Sequence, residues 1–112
     1  MASITCYWSN VSQPSRAMKA FLDDSGIPYV DHPVDMLKGE NYTDPEVTKY
    51  SPAGSLPFLV IDGVVYKETV ALMRYLAGKY PDKAGKFYAP PDDLETRYEI
   101  DKWCDFYTDA FR

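Results

Sequence analysis

Hydrophobic and polar positions change period several times along this chain, and each change predicts an element. Residues 4–8, Ile-Thr-Cys-Tyr-Trp, are β-branched and aromatic and predict a first strand that stops at Ser9-Asn10. Val11-Ser12-Gln13-Pro14 is a loop, with Pro14 suited to the first turn of a helix, where its missing N–H costs nothing. Over residues 16–24, Met18, Phe21 and Leu22 form an apolar stripe at helical steps, and Gly26 supplies the stop. Residues 29–34 predict a second strand, and Pro33 places it at a sheet edge. Residues 38–43 are polar and read as loop. Asp44-Pro45-Glu46 then caps a short helix that reaches about Tyr50.

The densest pattern lies in residues 55–80. Phe58-Leu59-Val60-Ile61 is wholly apolar, Asp62-Gly63 is a strong signal for a tight hairpin turn, and Val64-Val65-Tyr66 returns as a strand. Glu68 and Thr69 open a helix carrying Val70, Leu72, Met73 and Leu76, and the first N–H groups of that helix are free to hold an anion. Residues 81–91, rich in Pro, Gly and Lys, read as a linker, and a further helix runs from Asp92 to the chain end. The order is β-α-β-α-β-β-α, linker, α. A β-α-β half joined to a β-β-α half predicts an α/β fold with a mixed four-stranded sheet of thioredoxin-like arrangement, plus one C-terminal helix.

Composition narrows the function classes. At 112 residues the chain is long enough for one real core. Its formal charge is −5 with no basic cluster, which argues against nucleic-acid binding. No run approaches a membrane span, and the N-terminus lacks the pattern of a signal peptide. The two cysteines, Cys6 and Cys104, form no CxxC pair and read as reduced thiols in a cytoplasmic compartment, with a mitochondrial one left open. A single His, His32, offers no zinc set and reads as a surface strand residue.

Three places carry candidate chemistry. Ser12 stands between the first strand and a helix, where a hydroxyl either caps the helix or donates to an anion above it, with Gln13 as a further polar group. No His or Asp stands near Ser12 at triad-like spacing, so nucleophilic serine catalysis has little support. Leu56-Pro57, just before a buried strand, is a candidate cis bond that would leave the Leu56 N–H and C=O to pair with an extended ligand. Glu68 and Thr69 either complement the helix dipole or hold the ammonium and carboxylate of an amino-acid group.

Ser12-Gln13-Pro14-Ser15-Arg16-Ala17, Val34-Asp35-Met36-Leu37-Lys38-Gly39, and Leu56-Pro57 through Glu68-Thr69-Val70-Ala71 together resemble the N-terminal, thioredoxin-like domain of the glutathione transferases, the theta class above all. The resemblance implies glutathione as co-substrate, no metal, and addition of the glutathione sulfur to a small electrophile. It implies that Ser12 hydrogen-bonds that sulfur as the catalytic residue. It gives glutathione-binding roles to Gln13, Asn41, Ser55, Leu56, Pro57, Glu68 and Thr69. Three positions depart from the theta pattern. Asn41 replaces a His and Ser55 a Lys, so less positive charge faces the anionic end of glutathione and weaker binding is expected, while Thr69 in place of a Ser keeps the hydroxyl.

The resemblance also divides the chain into a glutathione-binding domain over 1–80, a linker over 81–91, and over 92–112 the first helix of a helical domain. The expectation is a fragment or a half-protein completed by a partner. In the last helix, Ile100, Trp103, Tyr107, Ala110 and Phe111 form one stripe, opposite Asp101, Asp105 and Asp109. An apolar stripe of this size is seldom bare, so a second copy or a partner subunit is expected to cover Ile100, Trp103, Tyr107 and Phe111. The alternative function is a non-catalytic module of this fold, a structural or protein-binding subunit of a larger assembly.

Overall fold

The computed structural model describes residues 2–110, with side chains up to residue 106. Four strands, β1 (Ile4–Trp8), β2 (Val30–Pro33), β3 (Phe58–Ile61) and β4 (Val64–Tyr66), form one sheet in the order β2-β1-β3-β4. β2 runs parallel to β1, while β3 is antiparallel to both β1 and β4. This is the mixed thioredoxin-like sheet that the element order implies. The register pairs Cys6 with Leu59, Tyr7 with Phe58, and Ile61 with Val64 across the hairpin. Asp62 and Gly63 make the hairpin turn with φ of 49° and 84°, the positive pair that a tight primed turn requires.

Alternation along the strands sorts the core into two faces. Tyr7, Phe58 and Val60 share one face and cluster with Val34 and with Val47 of α3 (Pro45–Tyr50). Ile4, Cys6, Leu59 and Ile61 lie on the other, all buried. β3 is buried at every position because its strand is central and covered on both sides. α1 (Gln13–Ser25) presents Met18, Phe21 and Leu22 inward and ends at Gly26, whose left-handed φ of 72° closes the last turn.

Residues 38–43, which read as loop, fold instead into a 3-10 turn (Met36–Lys38) followed by α2 (Glu40–Thr43). The cause is local capping rather than periodicity. Asp35 caps the turn through the Lys38 N–H, Gly39 takes a left-handed φ of 76°, and the Glu40 carboxylate reaches back to the Asp35 N–H at 2.8 Å. α4 (Thr69–Lys79) buries Leu72, Leu76 and Ala77.

The chain divides into two compact units, Met1–Met73 and Arg74–Arg112. In the second, residues 81–91 hold a short α5 (Pro81–Ala84) and a 3-10 turn (Gly85–Phe87) ahead of α6 (Leu94–Ala110). Tyr88 pins this stretch to α6: its hydroxyl donates to the Asp101 carboxylate at 3.2 Å, and the Arg97 guanidinium lies 4.4 Å from its ring. Asp101 also pairs with Arg74 at 3.0 Å. Trp103 is 59% exposed and Ile100 half-buried. The side chains of Tyr107, Asp109, Ala110 and Phe111, the remainder of the stripe and of the face opposite it, lie outside the described residues.

Candidate functional site

Strand directions bring the candidate segments to one end of the sheet. β1 and β2 both point their C-terminal ends there, so Ser12 follows from β1, and Val34 through Asn41 from β2. Because β3 is antiparallel to β1, its N-terminal end lies beside them, and Leu56-Pro57 enters it there. β4 turns back to the same end and delivers Glu68 and Thr69. Ligands of open α/β sheets favour such an edge, where several strands release their chains into loops.

Ser12 caps α1: its Oγ accepts the Ser15 N–H at 3.3 Å. That contact uses a lone pair of the oxygen. The hydroxyl proton remains available, and no acceptor among the described residues takes it. Capping and donation to an anion are therefore compatible, and the positive end of the 13-residue helix α1 favours a negative atom nearby. Gln13, at the first turn, is exposed.

Leu56-Pro57 is cis, as its place before a buried strand suggests. Neither peptide group of Leu56 pairs with another backbone group among the described residues. Glu68 has a φ of 69°, a left-handed conformation that costs a residue with a Cβ roughly 1–2 kcal/mol. Its carbonyl accepts the Leu72 N–H at 2.9 Å, so this strained residue starts α4, and its side chain is exposed. Strain of this kind in an exposed residue at a helix start often marks a functional position.

Asn41 has a different setting from the one its role in a binding pocket would suggest. It is 3% exposed and donates from Nδ2 to the Gly54 carbonyl at 3.1 Å, while its Oδ1 is buried with no protein partner. It holds the base of the loop that carries Ser55, Leu56 and Pro57. From the other side, the buried Ser51 Oγ bonds the Ser55 carbonyl at 3.0 Å and the exposed Ser55's hydroxyl at 3.1 Å. Lys67 Nζ donates to the same Ser51 Oγ at 3.4 Å. Lys67 is not among the candidate residues that the sequence offers. The hairpin register was the available signal, since continuing the pairing of Leu59 with Tyr66 sets Lys67 opposite Phe58, next to Pro57.

A cleft of about 490 Å³ opens at the same sheet end, lined by Trp8, Val11, Pro33, Val34 and Leu37 with Asn10, Asp35 and Glu40. Leu37 is 83% exposed at its edge. His32 is not a plain surface residue. It is half-buried, lies 4.4 Å from the Tyr7 ring centre, and its Nε2 is 3.0 Å from Asp44 Oδ2. That hydrogen bond, with a second from the Glu46 N–H, holds the Asp44 carboxyl below its usual pKa. The thiol of Cys6 is pushed up to about 12, chiefly by burial and next by the charge of Asp31. It is inert at neutral pH. No cluster of potential metal ligands occurs among the described residues.

These features define a thioredoxin-like domain whose end of the sheet offers a hydroxyl, an open peptide edge and a strained acidic residue in place of a reactive cysteine pair. The glutathione S-transferase N-terminal domain model matches residues 7–84, and the chain belongs to that family. It is similar to glutathione S-transferase theta-3 of Mus musculus, 35% identical over 106 residues that make up 95% of this chain and 42% of that one. Glutathione S-transferase theta-2 of Mus musculus is 31% identical over the same shares. The chain thus spans about two fifths of the length of these relatives. Among solved structures, human glutathione transferase theta-2 in complex with glutathione and an unknown ligand superposes with a TM-score of 0.83 at 29% identity, covering 98% of this chain and 44% of that one. A human theta-class transferase in complex with the glutathione conjugate of 1-menaphthyl sulfate gives 0.85, also at 29%, covering 98% and 43%. Among the described residues, no helix is long and apolar enough to cross a membrane.

Proposed function

We propose that this chain binds glutathione across the end of the sheet and favours its thiolate, through Ser12, for addition to an electrophile. The observation that carries the reading is the Ser12 hydroxyl, whose oxygen is fixed by the Ser15 N–H while its proton stays free to reach a sulfur. Glu68 takes the γ-glutamyl ammonium, and Thr69 with the first N–H groups of α4 takes the neighbouring carboxylate. The peptide groups of Leu56, set by Pro57, pair with the cysteinyl unit. Gln13 adds a polar contact above α1, and Ser55 lines the loop. Asn41 acts from beneath, by holding Gly54.

Cys6 is buried and stays protonated at neutral pH, so it does not compete at the sheet end, and in this reading the reacting sulfur is the ligand's. A free thiol near pKa 8.5 is mostly protonated at neutral pH, and each unit of lowering corresponds to about 1.4 kcal/mol in favour of the thiolate. The thiol proton leaves to solvent. The sulfur lone pair then forms a bond to the electrophilic carbon, and the electron pair displaced there moves to the neighbouring atom, which takes up a proton from solvent. The apolar wall of Trp8, Val11, Pro33 and Leu37 suits the body of a small electrophile.

Residues 1–80 are the glutathione-binding domain in this reading, 81–91 the connection, and 92–112 the first helix of a helical domain. A second copy or a partner subunit covers the Trp103 side of α6. A reducing, cytoplasmic setting suits the buried Cys6 thiol. The second reading is a non-catalytic subunit of a larger assembly, favoured by the exposed Trp103 and Phe106, packed edge to face at 5.7 Å. Isothermal titration with glutathione tests the proposal. Binding that is lost in Glu68→Gln supports it, and no heat with the native chain leaves the non-catalytic reading.

A further inference from the structure

We infer that Lys67 is the cationic partner of the glycine carboxylate of glutathione, an assignment that rests on the glutathione-binding reading above. At neutral pH glutathione carries an ammonium and a carboxylate on its γ-glutamyl end and a second carboxylate on its glycine end. Glu68 and Thr69 answer the first pair. Nothing so far assigned answers the last, because Ser55 and Asn41 are neutral.

The geometry supplies the missing charge from an unexpected element. In that reading a tripeptide held at one end on α4 and paired antiparallel to Leu56 at its middle would carry its other end toward Ser55, the residue before Leu56. At that loop Ser51 Oγ joins Ser55 by two contacts, to its carbonyl at 3.0 Å and its hydroxyl at 3.1 Å, and Lys67 Nζ donates to Ser51 Oγ at 3.4 Å. The Phe58 ring, 6.0 Å from Nζ, keeps the ammonium near the loop. An ammonium has three donors, and this long contact to one hydroxyl uses one. The Lys67 side chain is exposed, so a ligand can reach it. A carboxylate arriving at Ser55 meets an ammonium already held at that loop, with the two serine hydroxyls beside it.

The distinguishing ligand is the glycine ethyl ester of glutathione, which keeps the γ-glutamyl end and the thiol but loses the glycine charge. Isothermal titration of both ligands is run on the native chain and on Lys67→Gln, Lys67→Arg and Lys49→Gln. Lys49, whose Nζ lies 4.9 Å from the Tyr50 ring, serves as a lysine control. The native chain is expected to bind glutathione about five- to tenfold more tightly than the ester, the range for a charge-assisted contact that stays partly in water. Lys67→Gln loses that preference while binding the ester as the native chain does. Lys67→Arg restores the preference, and Lys49→Gln keeps it. A preference that survives in Lys67→Gln, or its absence from the native chain, overturns the assignment while glutathione binding stands. No binding of either ligand by the native chain overturns the parent reading, and the assignment with it.

Discussion

Glu68 places a strained backbone at the start of α4, inside the candidate site. Its left-handed φ of 69° is paid by the folded state, while its side chain is exposed. Glycine adopts that conformation without a Cβ penalty, so Glu68→Gly is expected to hold or raise stability by up to about 1 kcal/mol. The same change removes the carboxylate and should abolish glutathione binding. Thermal unfolding and calorimetry on one sample check both halves, and a large loss of stability would mean that the side chain serves the fold. Asp44 gives a pH-dependent case. Its carboxyl is held low by His32 and the Glu46 N–H, so its contribution is present above about pH 4 and fades as pH falls through the lowered value. Asn caps a helix as well as Asp does, so Asp44→Asn isolates the charge. Urea unfolding should find the variant less stable than the native chain near neutral pH, with the two curves converging in strong acid. At this scale the cis Leu56-Pro57 bond and the opening of a helix at Glu68-Thr69 were legible, because proline position and helix-start chemistry are local. The buried role of Asn41 was not, since its partner Gly54 lies 13 residues away and only the fold brings them together.

Elements were read well where hydrophobic period decided them. β1, α1 and the β3–β4 hairpin follow from apolar spacing and from one Asp-Gly turn, and the register of Ile61 with Val64 follows from the two-residue loop. The stretch over 38–43 reads as loop because its helical turns are specified by caps and not by an apolar stripe. Asp35, Gly39 and Glu40 supply that information, and none of them contributes to a periodic stripe. α2 matters to the site through Tyr42 and Asn41, which enclose Gly54. Gly54 has a φ of 74°, and a Cβ built there would stand 2.7 Å from the Tyr42 ring. Gly54→Ala therefore combines a strained backbone with a clash. It is expected to cost about 1–3 kcal/mol and to loosen the loop that carries Leu56. Chemical denaturation checks the first effect, and glutathione titration the second. Unchanged values in both would show that the loop adapts freely.

For the molecule as a whole, the first unit holds every residue assigned to glutathione, and the second offers an apolar surface of its own. Trp103 and Phe106 are 59% and 56% exposed on α6. Aromatic side chains of this size carry on the order of 150–250 Å² each and are seldom left in water together. Sedimentation velocity should find the chain associating, and Trp103→Glu with Phe106→Glu should return it to a monomer. A native chain that stays monomeric at high concentration would contradict that expectation. The sequence pattern reached this surface through the spacing of Ile100 and Trp103, but not its Phe106 flank, because one helical stripe does not reveal which neighbouring face is covered. Stabilisation of the thiolate by Ser12 can be read from the ultraviolet absorbance of the thiolate of bound glutathione, followed against pH. The native chain is predicted to lower the thiol pKa below the free value of about 8.5, and Ser12→Ala to return it toward that value while binding changes by no more than about threefold. An identical pKa in the two proteins would contradict the claim and leave Ser12 as the cap of α1.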